Sequence, residues 1–259
     1  MTQAAAGLHE SCLTELRAGA ANSQLSPLFL FPDVAGDPES FQALAERLGA
    51  ARPIYAFRHI GARFESEPVR QVSRLAQLYA ADLRRAAPHG PYYLCGHAMG
   101  GAVAFEVARE LDSQGQKVGL VIMVDCLAPR YLQPLAAWQH ARSSFQRLLE
   151  TRERAARTSK QRRRVEAALH EAYDHYRPSP QCVDVLFLTA EAPHGLPPYP
   201  DPLLGWGNFL RGRISQCGVT GARARIFAPE NLTQLTTRIT AALKSAERNR
   251  ENGVKLAAV

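Results

Sequence analysis

Residues 94–101 read LCGHAMGG. Before them, PYYLC (91–95) is a short apolar and aromatic run, the composition of a buried strand. After them, AVAFEVARELDSQG (102–115) reads as a helix. Gly96, Gly100 and Gly101 fall in the passage between the two. Glycines there permit a strained turn and let the helix pack hard against the strand. Residue 98 is thereby lifted to the helix N-terminus, where the dipole and the free N–H groups favour negative charge. The residue in that place is Ala98, which offers only a methyl group.

The same rhythm extends outward in both directions. SPLFLF (26–31), PIYAF (53–57), VGLVIMVD (118–125), VDVLFLTA (183–190) and ARARIFA (222–228) read as further strands. DPESFQALAERLG (37–49) reads as a helix, with Asp37 as N-cap, Pro38 in the first turn and Gly49 as its stop. Residues 69–87 carry Val72, Leu75, Ala76, Tyr79 and Leu83 at helical spacing. NLTQLTTRITAALKSA (231–246) is a closing helix. Strands alternating with helices through short connections imply an α/β fold, a mostly parallel twisted sheet with helices on both faces. The expectation is one domain over 1–259, with loose ends at about 1–20 and 249–259. The rhythm breaks at about 129–180, a helical, basic stretch with no strand, expected to form a lid over the C-terminal edge of the sheet.

Composition narrows the function classes. Apolar residues make up 46% of the 259 and charged residues 21%, a balance that builds a large core. No stretch approaches 18 consecutive apolar residues, so nothing reads as a membrane span, and the start lacks the basic head and apolar run of a signal peptide. Five scattered cysteines match neither a zinc spacing nor a disulfide framework, so the chain is expected to be cytoplasmic and reduced, with no metal. Net charge is +7, and RERAARTSKQRRR (152–164) holds seven basic residues against one acid. That run reads either as a solvated helix face or as an electrostatic dock for an anionic partner. No recognised nucleic-acid module accompanies it.

The elbow's glycine pattern is that of G-x-S-x-G between a strand and a helix, with alanine in place of serine. Together with its surroundings, the chain resembles the thioesterase domains that release chains from non-ribosomal peptide and polyketide synthases, within the α/β-hydrolase superfamily. The resemblance covers roughly Leu13 to Leu243. It rests on PLFLFPDVAG (27–36), similar to the first strand and oxyanion loop, and on GPYYLCGHAMGGAVAFEVARELDSQG (90–115), similar to the elbow and its helix apart from Ala98. It rests also on VIMVDCLAP (121–129), HEAYDHYRPSP (170–180) and LLGWGNFLRG (203–212).

The resemblance implies an α/β-hydrolase fold, and it implies roles. The nucleophile position is Ala98, the triad acid Asp125, and the base position Asn231, with Leu232 one step away. The backbone N–H groups of Val34 and Met99 would form the oxyanion hole. Trp138 and Phe145 would pack the lid or line an acyl tunnel, and Arg162, Arg163 and Arg164 would dock a carrier. The implied partners are an acyl or peptidyl carrier protein and its thioester substrate, with no membrane. No cofactor of its own is implied, since phosphopantetheine arrives on the carrier. All eight histidines lie at or before His194, so none follows the last expected strand. Ala98 cannot attack and Asn231 cannot accept a proton near neutral pH, whereas a serine hydrolase needs both functions. Cys95 and Cys126 flank the site but read as inert core residues, and His194 reads as a loop residue.

Three functions stay open on the sequence. The chain acts on acyl or peptidyl thioesters in natural-product biosynthesis despite its incomplete triad. Alternatively it is a non-catalytic pseudo-thioesterase that binds a carrier or an acyl chain. In the third reading it is a chain-releasing hydrolase or cyclase inactivated by engineering.

Overall fold

The computed structural model describes residues 11–34, 37–62, 67–131, 160–190, 201–220 and 226–257. Seven strands form one sheet: β1 (Leu13–Arg17), β2 (Leu28–Phe31), β3 (Ile54–Phe57), β4 (Tyr92–His97), β5 (Val118–Val124), β6 (Val185–Ala190) and β7 (Ile214–Val219). Their spatial order is β1-β3-β2-β4-β5-β6-β7, with β1 antiparallel to β3 and every other pair parallel. Five helices accompany them among the described residues: α1 (Gln42–Leu48), α2 (Val72–Ala86), α3 (Met99–Ser113), α4 (Lys160–His175) and α5 (Pro229–Ala257). A single 3₁₀ turn, Pro38–Phe41, leads into α1.

Two apolar layers enclose the sheet. On one face Phe29, Phe31, Leu94, Val121, Met123 and Phe187 meet α2, α3 and α4. On the other, Leu28, Leu30, Cys95, Ile122, Val124 and Leu186 meet α1 and α5. This is why β2, β4 and β5 read as unbroken apolar runs: both of their faces are covered. The chain runs from β2 outward to β3, then returns to lay β4 on the other side of β2. The order reverses between β2 and β4, and ligands of open α/β sheets bind outside the strand C-termini at such a switch point. Phe31 stands opposite Gly96 in register, so the exits of these two strands share one edge.

Three expectations are corrected. The last strand among the described residues is ISQCGV at Ile214–Val219, and the end of the expected strand ARARIFA (222–228) is not extended. Residues 226–228 of that segment form a turn, and the rest lies outside the described residues. Leu13–Arg17, expected to be loose, pairs with β3 as the sheet's antiparallel edge, and Asp82 accepts the Cys12 N–H at 2.9 Å. The closing helix begins earlier, at Pro229, and runs on through the expected tail to Ala257. The expected lid lies between β5 and β6; α4 occupies its second half, and 132–159 lies outside the described residues.

Candidate functional site

The elbow is held by backbone approaching backbone. A Cβ on Gly96 would stand 2.1 Å from the Gly100 carbonyl oxygen. One on Gly100 would stand 2.1 Å from the Phe31 oxygen and 2.5 Å from the Pro32 oxygen, and one on Gly101 would stand 2.8 Å from the Cys126 Cβ. All three approaches are closer than real Cβ atoms come, so glycine is required at each. Ala98 takes φ 48° and ψ −120°, a strained conformation for any residue with a side chain. Its N–H donates to the Val124 carbonyl at 2.9 Å, and α3 begins at the next residue. Met99 is thus the first helical residue, in the turn whose N–H groups have no partner within the helix.

Val34 and Asp125 lie on the same edge. Val34 follows β2 by three residues, on the loop whose carbonyls at Phe31 and Pro32 press against Gly100. Asp125 follows β5 directly, beside the elbow, because Val124 pairs with His97 in register. It also takes a positive φ, 48°, and is 1% exposed. Its N–H donates to the Leu188 carbonyl at 2.6 Å, and its carboxylate accepts the Ala190 N–H at 3.2 Å, so β6 fixes it at both ends. Trp206, fully buried, donates its indole N–H to the Cys126 carbonyl at 3.0 Å and steadies the following residue.

The connection into α5 differs from the sequence picture. Pro229 opens that helix, as its preset φ favours, so Asn231 sits buried in the first turn with its N–H donated to the Ala228 carbonyl at 2.9 Å. Phe227 of this connection meets the elbow. Its ring stands edge-on to His97, with centroids 4.9 Å apart, and also meets Phe41 at 5.4 Å. Sequence reasoning placed Phe227 inside the expected strand ARARIFA (222–228), where a phenylalanine carries no chemical signal.

Neither cysteine offers an alternative nucleophile. Cys95 faces the α1/α5 layer, and burial pushes its thiol up to about 12. Cys126 is fully buried against Gly101. Trp138, Phe145 and His194 lie outside the described residues.

The arginine run ends on the first turns of α4, and the structure separates its members. Arg162 reaches Asp37 at 2.9 Å and Glu166 at 3.4 Å, while Arg164 reaches Glu67 at 2.9 Å. Asp37 also receives Arg58 at 3.4 Å, and Gln161 donates to the Gly61 carbonyl at 2.8 Å. The helix is therefore pinned to the loops that follow β2 and β3. Its far end is tied by the Tyr176 hydroxyl to the buried Glu106 carboxylate of α3, at 2.8 Å. Arg163 points outward and is exposed, as is Lys160.

The same loops hold a buried histidine that sequence reasoning also missed. His59 lies two residues beyond β3, and its Nε2 is 2.6 Å from the Asp33 carbonyl oxygen. Burial pushes its imidazole below the ordinary histidine range, and Arg162 adds to this, while Asp33 and Asp37 oppose it. The sheet order alone could have pointed here, since the C-terminus of β3 adjoins that of β2.

A parallel sheet reversed between β2 and β4, a strained strand-to-helix corner and a carboxylate after the next strand define the α/β-hydrolase fold. The family model described as "Thioesterase domain" matches residues 26–199, so the chain belongs to the thioesterase domain family. Over 128 residues it is 34% identical to the "Inactive atromentin synthetase invA6" of Paxillus involutus, covering 49% of this chain and 13% of that protein. Over 99 residues it is 34% identical to the "Polyketide synthase PksR" of Bacillus subtilis, covering 38% of this chain and 4% of that protein. The chain thus spans a small fraction of these relatives. Among solved structures it is similar to the type II thioesterase BorB from the borrelidin biosynthetic cluster, with TM-score 0.69, 20% identity, and 92% of this chain and 98% of that one covered. It is equally similar to the NocB thioesterase domain from the nocardicin cluster, with TM-score 0.69, 22% identity, and 90% and 98% covered.

The glycine contacts yield a direct expectation. Gly100→Ala forces the β2 exit loop away from α3 and destabilises the fold by about 3 kcal/mol. Gly207→Ala, whose Cβ would meet, among the described residues, only the Leu203 Cδ1 at 3.8 Å, stays within about 0.5 kcal/mol. Urea unfolding of both variants measures the difference; equal midpoints would show that the elbow tolerates a wider seam.

Proposed function

We propose that this thioesterase-family chain binds an acyl or peptidyl thioester presented on the phosphopantetheine arm of a carrier protein, and holds its carbonyl without forming an acyl-enzyme at position 98. One observation carries the reading: the elbow keeps its strained φ of 48° and its helix start at Met99 although a methyl group stands on it. Strain at a corner persists where the surrounding structure over-determines it, and here it presents backbone donors rather than a nucleophile.

The chemistry follows from what remains. The Met99 and Val34 N–H groups are main-chain donors, so exchanging serine for alanine leaves them in place. In the low dielectric of a closed site they would polarise a thioester carbonyl. Ala98 cannot form the covalent intermediate, and Asn231 cannot take a proton. Phe227 supplies an apolar ring where its backbone could place an imidazole against His97. Asp125 would then orient no base; it remains as a buried carboxylate tied to β6. The name of one relative, an "Inactive" synthetase, is compatible with loss of turnover in a relative of this family.

The carrier would approach along α4. Arg163 and Lys160 are exposed for an acidic partner, whereas Arg162 and Arg164 already pair with Asp37 and Glu67. A carrier that engages all three arginines therefore has to displace those two ion pairs. Trp138 and Phe145 are proposed to line the acyl chain's path from the lid.

Two measurements test this reading. The first assays hydrolysis of a short acyl thioester by Ala98→Ser alone and combined with Phe227→His or Asn231→His. The single variant should reach no more than the roughly 10³–10⁴-fold acceleration over water that backbone donors sustain. A correctly placed histidine should add about 10²-fold or more, with the Phe227 position the better of the two. Hydrolysis by Ala98→Ser alone at about 10 s⁻¹, an ordinary enzyme rate, would show that another base serves the site. The second titrates an acyl-loaded carrier at rising salt against wild type and Arg163→Glu. Affinity should fall with salt, and the variant should lose chiefly association rate. Identical affinities at every ionic strength would make that helix face a solvated surface.

A further inference from the structure

We infer that His59 is a positioning residue for the oxyanion hole: its Nε2–H grips the Asp33 carbonyl from behind the loop and so aims the Val34 N–H into the site. The inference rests on the reading of Val34 as an oxyanion donor. His59 Nε2 lies 2.6 Å from the Asp33 carbonyl oxygen. A carbonyl oxygen only accepts, so Nε2 must carry the proton, which fixes the tautomer of the neutral ring.

The Asp33 carbonyl and the Val34 N–H belong to one peptide unit. That unit is planar and trans, so its C=O and N–H point to opposite sides. Whatever holds the carbonyl therefore fixes the direction of the N–H. In a loop after a strand, a peptide flip exchanges the two groups at little cost in chain path, and a bond to the carbonyl opposes it. Pro32, immediately before, restricts one side of the loop but donates no hydrogen bond. His59 supplies a side-chain anchor from the neighbouring strand exit.

The anchor is itself anchored. His59 is 7% exposed, so water does not compete for the Asp33 carbonyl. Burial keeps the imidazole below its ordinary range and hence neutral near pH 7. Tyr79, packed on Phe57 at 4.4 Å, donates its hydroxyl to the Arg58 carbonyl at 3.3 Å, directly before His59. Gln161 holds the Gly61 carbonyl on the other side. Two residues of the β3 exit are thus fixed by α2 and α4 while His59 reaches across to the β2 exit. A core histidine filling space would need only a partner for its ring N–H. Here the chosen partner is the peptide that precedes the donor position.

The test has parts that fail separately. In wild-type protein carrying ¹⁵N-histidine, the ring of His59 should show the Nε2–H tautomer; an Nδ1–H tautomer overturns the inference. This needs no substitution, so it decides even where the buried site rejects one. In His59→Leu the Val34 amide resonance of the ligand-free protein should shift and broaden as the peptide loses its anchor. His59→Gln, which can donate from its amide, should keep that resonance near its wild-type place. An unmoved Val34 amide in His59→Leu overturns the inference whether or not the chain binds thioesters. The functional probe is the butanoyl thioester of N-acetylcysteamine, compared with the thioether that lacks the carbonyl oxygen. His59→Leu should weaken the thioester about tenfold and leave the thioether unchanged, with His59→Gln restoring the loss. Equal weakening of both probes means a general structural role and overturns the inference. If wild type binds neither probe, the proposed function fails, and the tautomer and the Val34 amide still decide the role of His59.

Discussion

The seam between the start of α3 and the exit of β2 is the contact on which the rest of the site depends. Gly100 lies so close to the Phe31 and Pro32 carbonyls that no side chain fits between them. That seam sets two backbone segments side by side at the reversal point of the sheet. Gly96 and Gly101 make the corner sharp enough to reach it, and Ala98 absorbs the resulting strain with a positive φ. In the proposed reading, that closed seam is what would bring the Met99 and Val34 N–H groups to one edge of the site. Nothing in this arrangement involves the side chain at position 98.

The proposed function relies on that separation: backbone donors could act where no nucleophile stands. In the proposed reading carbonyl polarisation would depend on backbone placement, which the sheet, the glycines and the His59 contact would set. Covalent catalysis depends on two side chains, a nucleophile and a base, and neither Ala98 nor the α5 connection supplies one. Phe227 against His97 shows that the connection still closes on the elbow, but with an apolar edge. The ion pairs of Arg162 with Asp37 and of Arg164 with Glu67 tie the basic helix to the same loops. Each such exposed pair contributes at most about 1 kcal/mol, so a charged partner can compete for them.

What could be read from the sequence follows from locality. β2, β4 and β5 were legible because both faces are buried, which leaves uninterrupted apolar runs. The elbow was legible because its glycines are a local steric necessity, whereas the roles of Val34, Met99 and Asp125 came from the family resemblance. β7 was missed because it is a sheet edge: Ile214 to Gln216 and Gly218 face solvent, so ISQCGV carries no apolar run. ARARIFA alternates like a strand, yet its last three residues turn toward α5. His59, Phe227 and the Asp37–Arg162 pair escaped notice because each is a contact between segments distant in sequence. Spacing along the chain says nothing about which carbonyl a buried imidazole will face.

Intact-protein mass spectrometry, run alongside ligand-observed ¹³C NMR, addresses the central claim most directly. The protein is exposed to an excess of acyl thioester labelled at its carbonyl carbon. The account predicts that the carbonyl resonance shifts on binding while the protein mass stays unchanged throughout, because the hole polarises the carbonyl and position 98 accepts nothing. An added acyl mass on the protein, formed at the rate the thioester is consumed, would contradict it.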